Sequence, residues 1–437
     1  MLRKVSILLI FIVIVGGVML AFPQIRSSIL PEDAPTATAV ANLADYEGLL
    51  ALAKCMQANG LPTYPDPTDD GINLIGTGID VNSAEFKAAR EACAALMPQA
   101  PGLTQVNGVD PDSSEWEKVL PGNTSKCADG SEYAFWTRPA DPTKVVLFLA
   151  GGGACWDATT CAFTHGDSTT YEWNVTDGDN PVFRNGILAL SHPGNPFSDY
   201  SFVYVSYCTG DLHLGNRTQE YTPGLTVLHN GFANGTTALA YLAENFPNAD
   251  QVVVMGASAG SVAAPMYGGL VSDALPEAQI TVLADSSGAY PGDPELNNRL
   301  LELWGAFATI PDWEVNEDLP TQEWSIPMFW VQTKGHDPEI TLARFDYAFD
   351  EVQASYLTLL ELDASNLIAS IDANETLIES AGALQHSYTA PGDNHTILSG
   401  EEFYSMQVNG VALVNWVQAL IDGNPLADVH CDPCSTQ

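Results

Sequence analysis

The chain has 437 residues, with 54 aspartates and glutamates against 15 lysines and arginines and a formal charge of −39. A surface so short of cations excludes general nucleic-acid binding and repels anionic polymers at a distance, although salt at ~0.15 M shortens that field to about 8 Å. Charged residues are only 16% of the chain, so the imbalance reflects missing lysine and arginine.

In chain order, Met1-Leu2-Arg3-Lys4 precedes the uncharged run Val5 to Phe22. That run is just long enough to span a bilayer, and no small-x-small cleavage site stands at Met19-Leu20-Ala21-Phe22. Residues 1–22 therefore read as a signal anchor with its basic end in the cytoplasm, a cleaved signal peptide being the alternative. Either way the remainder is expected to be exported, extracellular or tethered to the outer face of the cytoplasmic membrane through residues 5–22. Residues 23–45 read as a linker rich in Pro, Ser, Thr and Ala.

Residues 46–98 read as a small helical module. Leu49, Leu50, Leu52, Ala53 and Met56 cover one side of a helix ended by Gly60 and Pro62. Asn82 and Glu85 open a second helix in capping-box fashion, with Phe86, Ala89, Cys93 and Leu96 at helical spacing. Two such helices have little core, which makes a Cys55–Cys93 staple physically sensible. A second linker, 99–115, leads to a domain over 116–437, ample for one α/β fold. Its apolar strands alternate with helical stretches such as Ala238 to Asn245 and Leu357 to Ala369.

Three stretches of this domain carry chemistry. Lys144 to Ala150 reads as a buried strand opening into Gly151-Gly152-Gly153-Ala154, a glycine run that brings bare backbone N–H groups close to a substrate carbonyl. Gly152 and Gly153 are the expected oxyanion donors, joined by the N–H of Ala259. Next, Val252-Val253-Val254-Met255 runs into Gly256-Ala257-Ser258-Ala259-Gly260, the sequence form of a nucleophile elbow. Downstream, His395 lies in the turn-rich loop Ala390 to Leu398 and is the favoured general base over His386. Ile326 to Gln332 reads as a strand with Asp337 just past it, and Asp337 is the expected orienting acid. Two rivals are Asp285, after the strand Ile280 to Ala284, and Asp350, placed inside a helical stretch from Arg344 to Leu360. The order Ser258, Asp337, His395 is that of α/β-hydrolases.

Together these blocks resemble the pectin acetylesterase and Notum carboxylesterase family, from about residue 127 to the C-terminus. The resemblance rests on Cys127-Ala128-Asp129-Gly130-Ser131, on Phe148 to Cys155 with Cys161 close behind, and on Val205-Ser206-Tyr207-Cys208-Thr209-Gly210-Asp211. It continues through the serine elbow and Leu283-Ala284-Asp285-Ser286-Ser287-Gly288. It implies an α/β-hydrolase-like fold, a mostly parallel sheet with helices on both faces, and the triad Ser258, Asp337 and His395. It also implies Cys127–Cys208 and places Cys155–Cys161 beside the glycines; Cys431–Cys434 then pair with each other. The even cysteine count and the export signal favour four disulfides. A zinc site at His430, Cys431 and Cys434 is the lesser reading, for want of a second ligand pair. The chain departs from the family pattern in having Ala154 where a tryptophan usually follows the glycines, and Ser261 where a second glycine follows Gly260. Both departures bear on substrate rather than fold.

The implied activity is that of a serine carboxylesterase removing a short acyl group, such as acetyl, from a carbohydrate oxygen without metal or cofactor. De-esterified pectin, an anionic polymer, is disfavoured by the charge. A longer lipid or polyester acyl chain is the alternative, and a non-catalytic binding protein on a hydrolase scaffold ranks last. Tryptophans 156, 173, 304, 313, 324 and 330 are candidates for stacking on sugars, with core packing the commoner use. A monomer acting on a small acyl ester or acylated carbohydrate, with no nucleic-acid partner, is expected. The sequon Asn394-His395-Thr396 would set a glycan beside the proposed base, which argues for an unglycosylated product.

Overall fold

Near-continuous apolar runs of seven to nine residues are what a parallel sheet covered on both faces requires. The computed structural model describes residues 50–66, 88–89, 92–93, 116–122, 124–163 and 170–435. The expected anchor, both linkers and the capping-box positions Asn82 and Glu85 lie outside the described residues.

Strands β1 (Glu117–Val119), β2 (Phe135–Arg138), β3 (Asp141–Leu149), β4 (Tyr200–Val205), β7 (Gln251–Ala257), β8 (Gln279–Asp285), β9 (Thr341–Tyr347), β10 (His386–Ala390) and β13 (Val429–His430) form one sheet. Its order is β1-β2-β4-β3-β7-β8-β9-β10-β13. The β1–β2 and β2–β4 pairs are antiparallel, and every pair from β4 to β13 is parallel. Two small hairpins, β5 (Arg217–Thr222) with β6 (Leu225–His229) and β11 (Gln407–Val408) with β12 (Val411–Ala412), stand apart from it.

Period-two alternation sorts the strand side chains to opposite faces. Val145, Leu147, Leu149, Val252, Val254 and Val282 meet one core. Helices α2 (Gly231–Asn245), α3 (Ala259–Ala274) and α5 (Ile326–His336) cover that face with residues such as Leu242, Val262 and Trp330. Val146, Phe148, Val253, Met255, Phe345 and Tyr388 meet the other core, covered by Phe403 of α8 (Glu402–Ser405) and by Trp416 and Leu420 of α9 (Leu413–Ile421). Each such fully buried side chain contributes roughly 1.5–3 kcal/mol, so the strands are fixed in register from both sides and the turns at their C-terminal ends become rigid platforms.

Three further helices, α4 (Pro294–Trp304), α6 (Glu351–Leu359) and α7 (Leu367–Ser380), flank those platforms. The N-terminal helix α1 spans 50–58. Its Leu52, Ala53 and Met56 share a separate small core with Leu61, Tyr64, Ala89 and Cys93. Disulfides join Cys55 with Cys93, Cys127 with Cys208, Cys155 with Cys161 and Cys431 with Cys434. The last bond occupies both sulfurs that a zinc ion beside His430 would need as thiolates.

Two elements depart from expectation. Ile326 to Gln332 is helical, within α5, and Arg344 to Tyr347 belongs to strand β9 rather than to a helix. Pro327 in the first turn and Lys334 and His336 in the last are helix-end signals that outweigh the apolar run. In β9 the run Thr341 to Tyr347 is buried from its second residue onward, as a central strand is.

Candidate active site

Strand β7 enters α3 through Ser258, whose backbone sits at φ 52°, ψ −117°. An L-residue with positive φ is strained, and that strain holds the hydroxyl out from the turn. Both glycines of the pattern are dictated by crowding. A Cβ on Gly256 would lie 2.2 Å from the Gly260 carbonyl oxygen, and one on Gly260 would lie 2.1 Å from the Leu149 carbonyl oxygen. Ser261 needs no such space: its buried hydroxyl donates to the Ser258 carbonyl at 2.6 Å.

The loop after β3 lies against this turn, with a Cβ on Gly151 falling 2.9 Å from the Ser258 Cβ. Gly153, at φ 74°, forms an antiparallel bridge with Tyr171. The Gly152 carbonyl accepts from the Glu172 N–H at 2.8 Å, and the Ala154 N–H donates to the Thr170 carbonyl at 3.2 Å. The N–H groups of Gly152 and Gly153 donate to no backbone carbonyl among the described residues. The Ala259 N–H is the first of α3, one of the donors a helix N-terminus leaves unpaired.

His395 is set by two aspartates. Its Nδ1 pairs with Asp350 Oδ2 at 2.7 Å, and the Asp350 side chain is fully buried. The other Asp350 oxygen caps α6 by accepting from the N–H groups of Val352 and Gln353, and Gln353 Nε2 donates to Oδ2. The imidazole Nε2 is buried and has no hydrogen-bond partner among the described residues. Asp285 Oδ2 accepts from the N–H groups of Ile397 and Leu398, each at 2.9 Å, and Ser286 Oγ accepts from the Thr396 N–H. The Asp285 carbonyl accepts from the Ser258 N–H at 2.8 Å. Burial lifts the Asp285 carboxyl to about 6 despite those hydrogen bonds.

Asp337 stands elsewhere. It is the C-cap of α5 and accepts from the Glu339 N–H at 3.0 Å. It makes no bond to His395, and the carboxylate that does belongs to Asp350. The expectation of an acid just past a late strand fits the geometry, but the strand is β9, and Asp350 follows it. His386 opens β10 with its Nδ1 3.8 Å from Asp428, so it is engaged at the sheet.

Ser258 and Ala259 open onto an apolar cavity walled by Gly153, Trp156, Tyr290, Leu300 and Tyr356, with room of about 40 Å³. Trp304, which also lines it, donates its indole N–H to the Cys155 carbonyl at 2.8 Å and so ties the wall to the glycine loop.

A parallel sheet with a strained serine at a strand-to-helix turn, and a carboxylate-held histidine on a later loop, defines an α/β-hydrolase-like protein. Residues 118–312 match the pectinacetylesterase family model. A 155-residue stretch is 32% identical to the palmitoleoyl-protein carboxylesterase NOTUM of Schmidtea mediterranea, covering 33% of this chain and 28% of that protein. The fold resembles the Wnt deacylase Notum from Drosophila with a TM-score of 0.55 at 17% identity, over 73% of this chain and 97% of that one. Over the stretch matched by the family model the chain is similar to the pectin acetylesterases and to Notum carboxylesterases, and it spans less than a third of the length of the Schmidtea relative.

Proposed function

We propose that the chain is an exported serine carboxylesterase that removes short acyl groups, acetyl foremost, through Ser258, His395 and Asp350. The observation that carries this reading is the Asp350–His395 hydrogen bond at 2.7 Å, which leaves a buried, unpartnered Nε2 on a loop tied through Asp285 to the nucleophile turn. The imidazole takes the Ser258 proton at Nε2 as Oγ attacks the ester carbonyl, and Asp350 fixes the tautomer and stabilises the imidazolium. The N–H groups of Gly152, Gly153 and Ala259 meet the oxyanion, where each such donor is worth ~3–4 kcal/mol. His395 returns the proton to the departing alcohol, and a water molecule repeats the sequence on the acyl-enzyme.

The cavity volume of about 40 Å³ favours acetyl over a long fatty acyl chain. The longer chain, suggested by the name of the Schmidtea relative, remains the second reading. Export is supported by the four disulfides, which persist in oxidising compartments. Among the described residues no helix is long and apolar enough to cross a membrane, so any tether would fall to residues 5–22.

The test is a fluorophosphonate probe followed by peptide mapping, together with an acyl-length series of chromogenic esters. Label on Ser258 and a maximum at acetate or butyrate is the expected result. Ser258→Ala should lower kcat by at least ~10³-fold with folding intact. Label on another serine, or a maximum at long chains, would overturn the assignment of nucleophile or of acyl group respectively.

A further inference from the structure

A second cavity adjoins the first and has nothing to do in the acyl transfer itself. It offers about 480 Å³ and shares Trp156, Leu300 and Leu360 with the acyl cavity as a common wall. Its other side is lined by Asp157, Arg299, Leu303, Leu359 and Glu361, so it mixes charged and apolar groups where the first cavity is almost wholly apolar. The two differ in size and polarity as the two arms of an ester do.

Trp156 is a rigid platform between them. It lies inside the loop closed by Cys155–Cys161, its N–H donates to Thr160 Oγ1 at 2.9 Å, and its ring meets the Tyr356 ring edge-on at 6.4 Å. Asp157 spends Oδ1 on the N–H groups of Thr159 and Thr160, which fixes the carboxylate and leaves Oδ2 outside that turn. Arg299 and Glu361 are exposed, and the Arg299 guanidinium makes no ion pair among the described residues. An aromatic face flanked by planar donor and acceptor groups matches a pyranose, whose C–H face stacks while its vicinal hydroxyls bond bidentately. Two carboxylates against one guanidinium, in a chain of charge −39, select against a uronate ring.

We propose that this second cavity is the alcohol-side subsite and binds the neutral pyranosyl ring of an O-acylated saccharide, stacked on Trp156 and hydrogen-bonded by Arg299, Asp157 and Glu361. The proposal rests on the reading of Ser258 as an esterase nucleophile. It gives that reading a substrate class: a neutral acetylated glycan rather than an acylated protein or lipid.

Two measurements test it. In the first, kcat/KM is compared for O-acetylated xylobiose and for p-nitrophenyl acetate. Arg299→Ala and Leu303→Trp, the latter filling the cavity, should each lower the ratio of the two values by at least ~10-fold. An unchanged ratio would overturn the proposal, as would a wild type that prefers decanoyl esters and loses them in Leu303→Trp, since the cavity would then house an acyl tail. In the second, calorimetry follows binding of the same acetylated xylobiose to Ser258→Ala, which needs no turnover. Binding that disappears on adding Leu303→Trp supports the subsite even where hydrolysis fails. Absence of binding to Ser258→Ala sinks the subsite while the fluorophosphonate label on Ser258 stands.

Discussion

Asp285 holds the two halves of the site with its two ends: its carbonyl accepts from the Ser258 N–H and its carboxylate from the loop of His395. Because that carboxylate is wholly buried, its proton is retained to about pH 6, and Asp211 and Asp346 behave alike. A carboxyl whose folded pKa lies above the unfolded value of about 3.9 keeps its proton in the fold where the unfolded chain has lost it. Its stabilisation is therefore complete below about pH 4 and is lost as pH rises toward 6. Asp285→Asn keeps an oxygen for the Ile397 and Leu398 N–H groups without that liability, so its Tm should gain on wild type between pH 5 and pH 7. Parallel melting curves for the two proteins would contradict this. The acid of the triad is decided by a second comparison. Asp350→Asn removes the acceptor for His395 Nδ1–H and should cut kcat by up to ~10⁴-fold, the loss seen when such a histidine takes the wrong tautomer. Asp337→Asn, at a helix end, should turn over within a few-fold of wild type. The reverse pattern would return the role to Asp337.

Elements explain why the serine turn was legible and the acid was not. Gly256 to Gly260 announces itself because each of its two glycines answers a close contact, Gly256 with Gly260 and Gly260 with Leu149 of β3. The triad order likewise pointed to His395, the histidine that pairs with Asp350. Asp350 was hidden because the apolar run Ile326 to Gln332 looks like a strand while the true strand Thr341 to Tyr347 is interrupted by Arg344 and Asp346, and periodicity cannot separate a buried strand from a short buried helix. The deciding signals were minor, namely Pro327 and the basic last turn of α5. Asp350 is the N-cap of α6, and a helix expected to run unbroken from Arg344 to Leu360 left no boundary at which to place it. The glycine loop is a sharper case. A Cβ on Gly153 would fall 2.1 Å from the Thr170 carbonyl oxygen and 2.2 Å from Tyr356 Oη, besides the ~1–2 kcal/mol that a left-handed backbone costs an L-residue. Gly153→Ala should therefore displace the loop, lower kcat by about 10²-fold or more through one lost oxyanion donor, and slow fluorophosphonate labelling of Ser258. Labelling at the wild-type rate would remove Gly153 from the oxyanion assignment.

At the scale of the whole molecule, charge and cross-links act on the unfolded chain as much as on the folded one. The charge of −39 is spread over a surface poor in cations, so surface ion pairs such as Lys144–Asp199 at 2.8 Å are isolated and each worth at most about 1 kcal/mol. Stability must come from the two cores and from the disulfides. The cross-links differ in reach, which orders their effects. Cys127–Cys208 ties the segment before β2 to the end of β4 across a separation of 81 residues, whereas Cys155–Cys161 spans 6. The chain-entropy relation gives about 4.5 kcal/mol for the first loop and about 2 kcal/mol for the second. Replacing both cysteines of each pair by serine should therefore lower the chemical-denaturation midpoint more for Cys127/Cys208 than for Cys155/Cys161. Activity should follow the opposite order in the folded protein, because Cys155–Cys161 frames Trp156 beside the apolar cavity while Cys127–Cys208 lies in the core and lines no part of that cavity. A Cys155/Cys161 variant that melts lower than the Cys127/Cys208 variant, yet hydrolyses p-nitrophenyl acetate normally, would show that the short loop serves the fold and not the site.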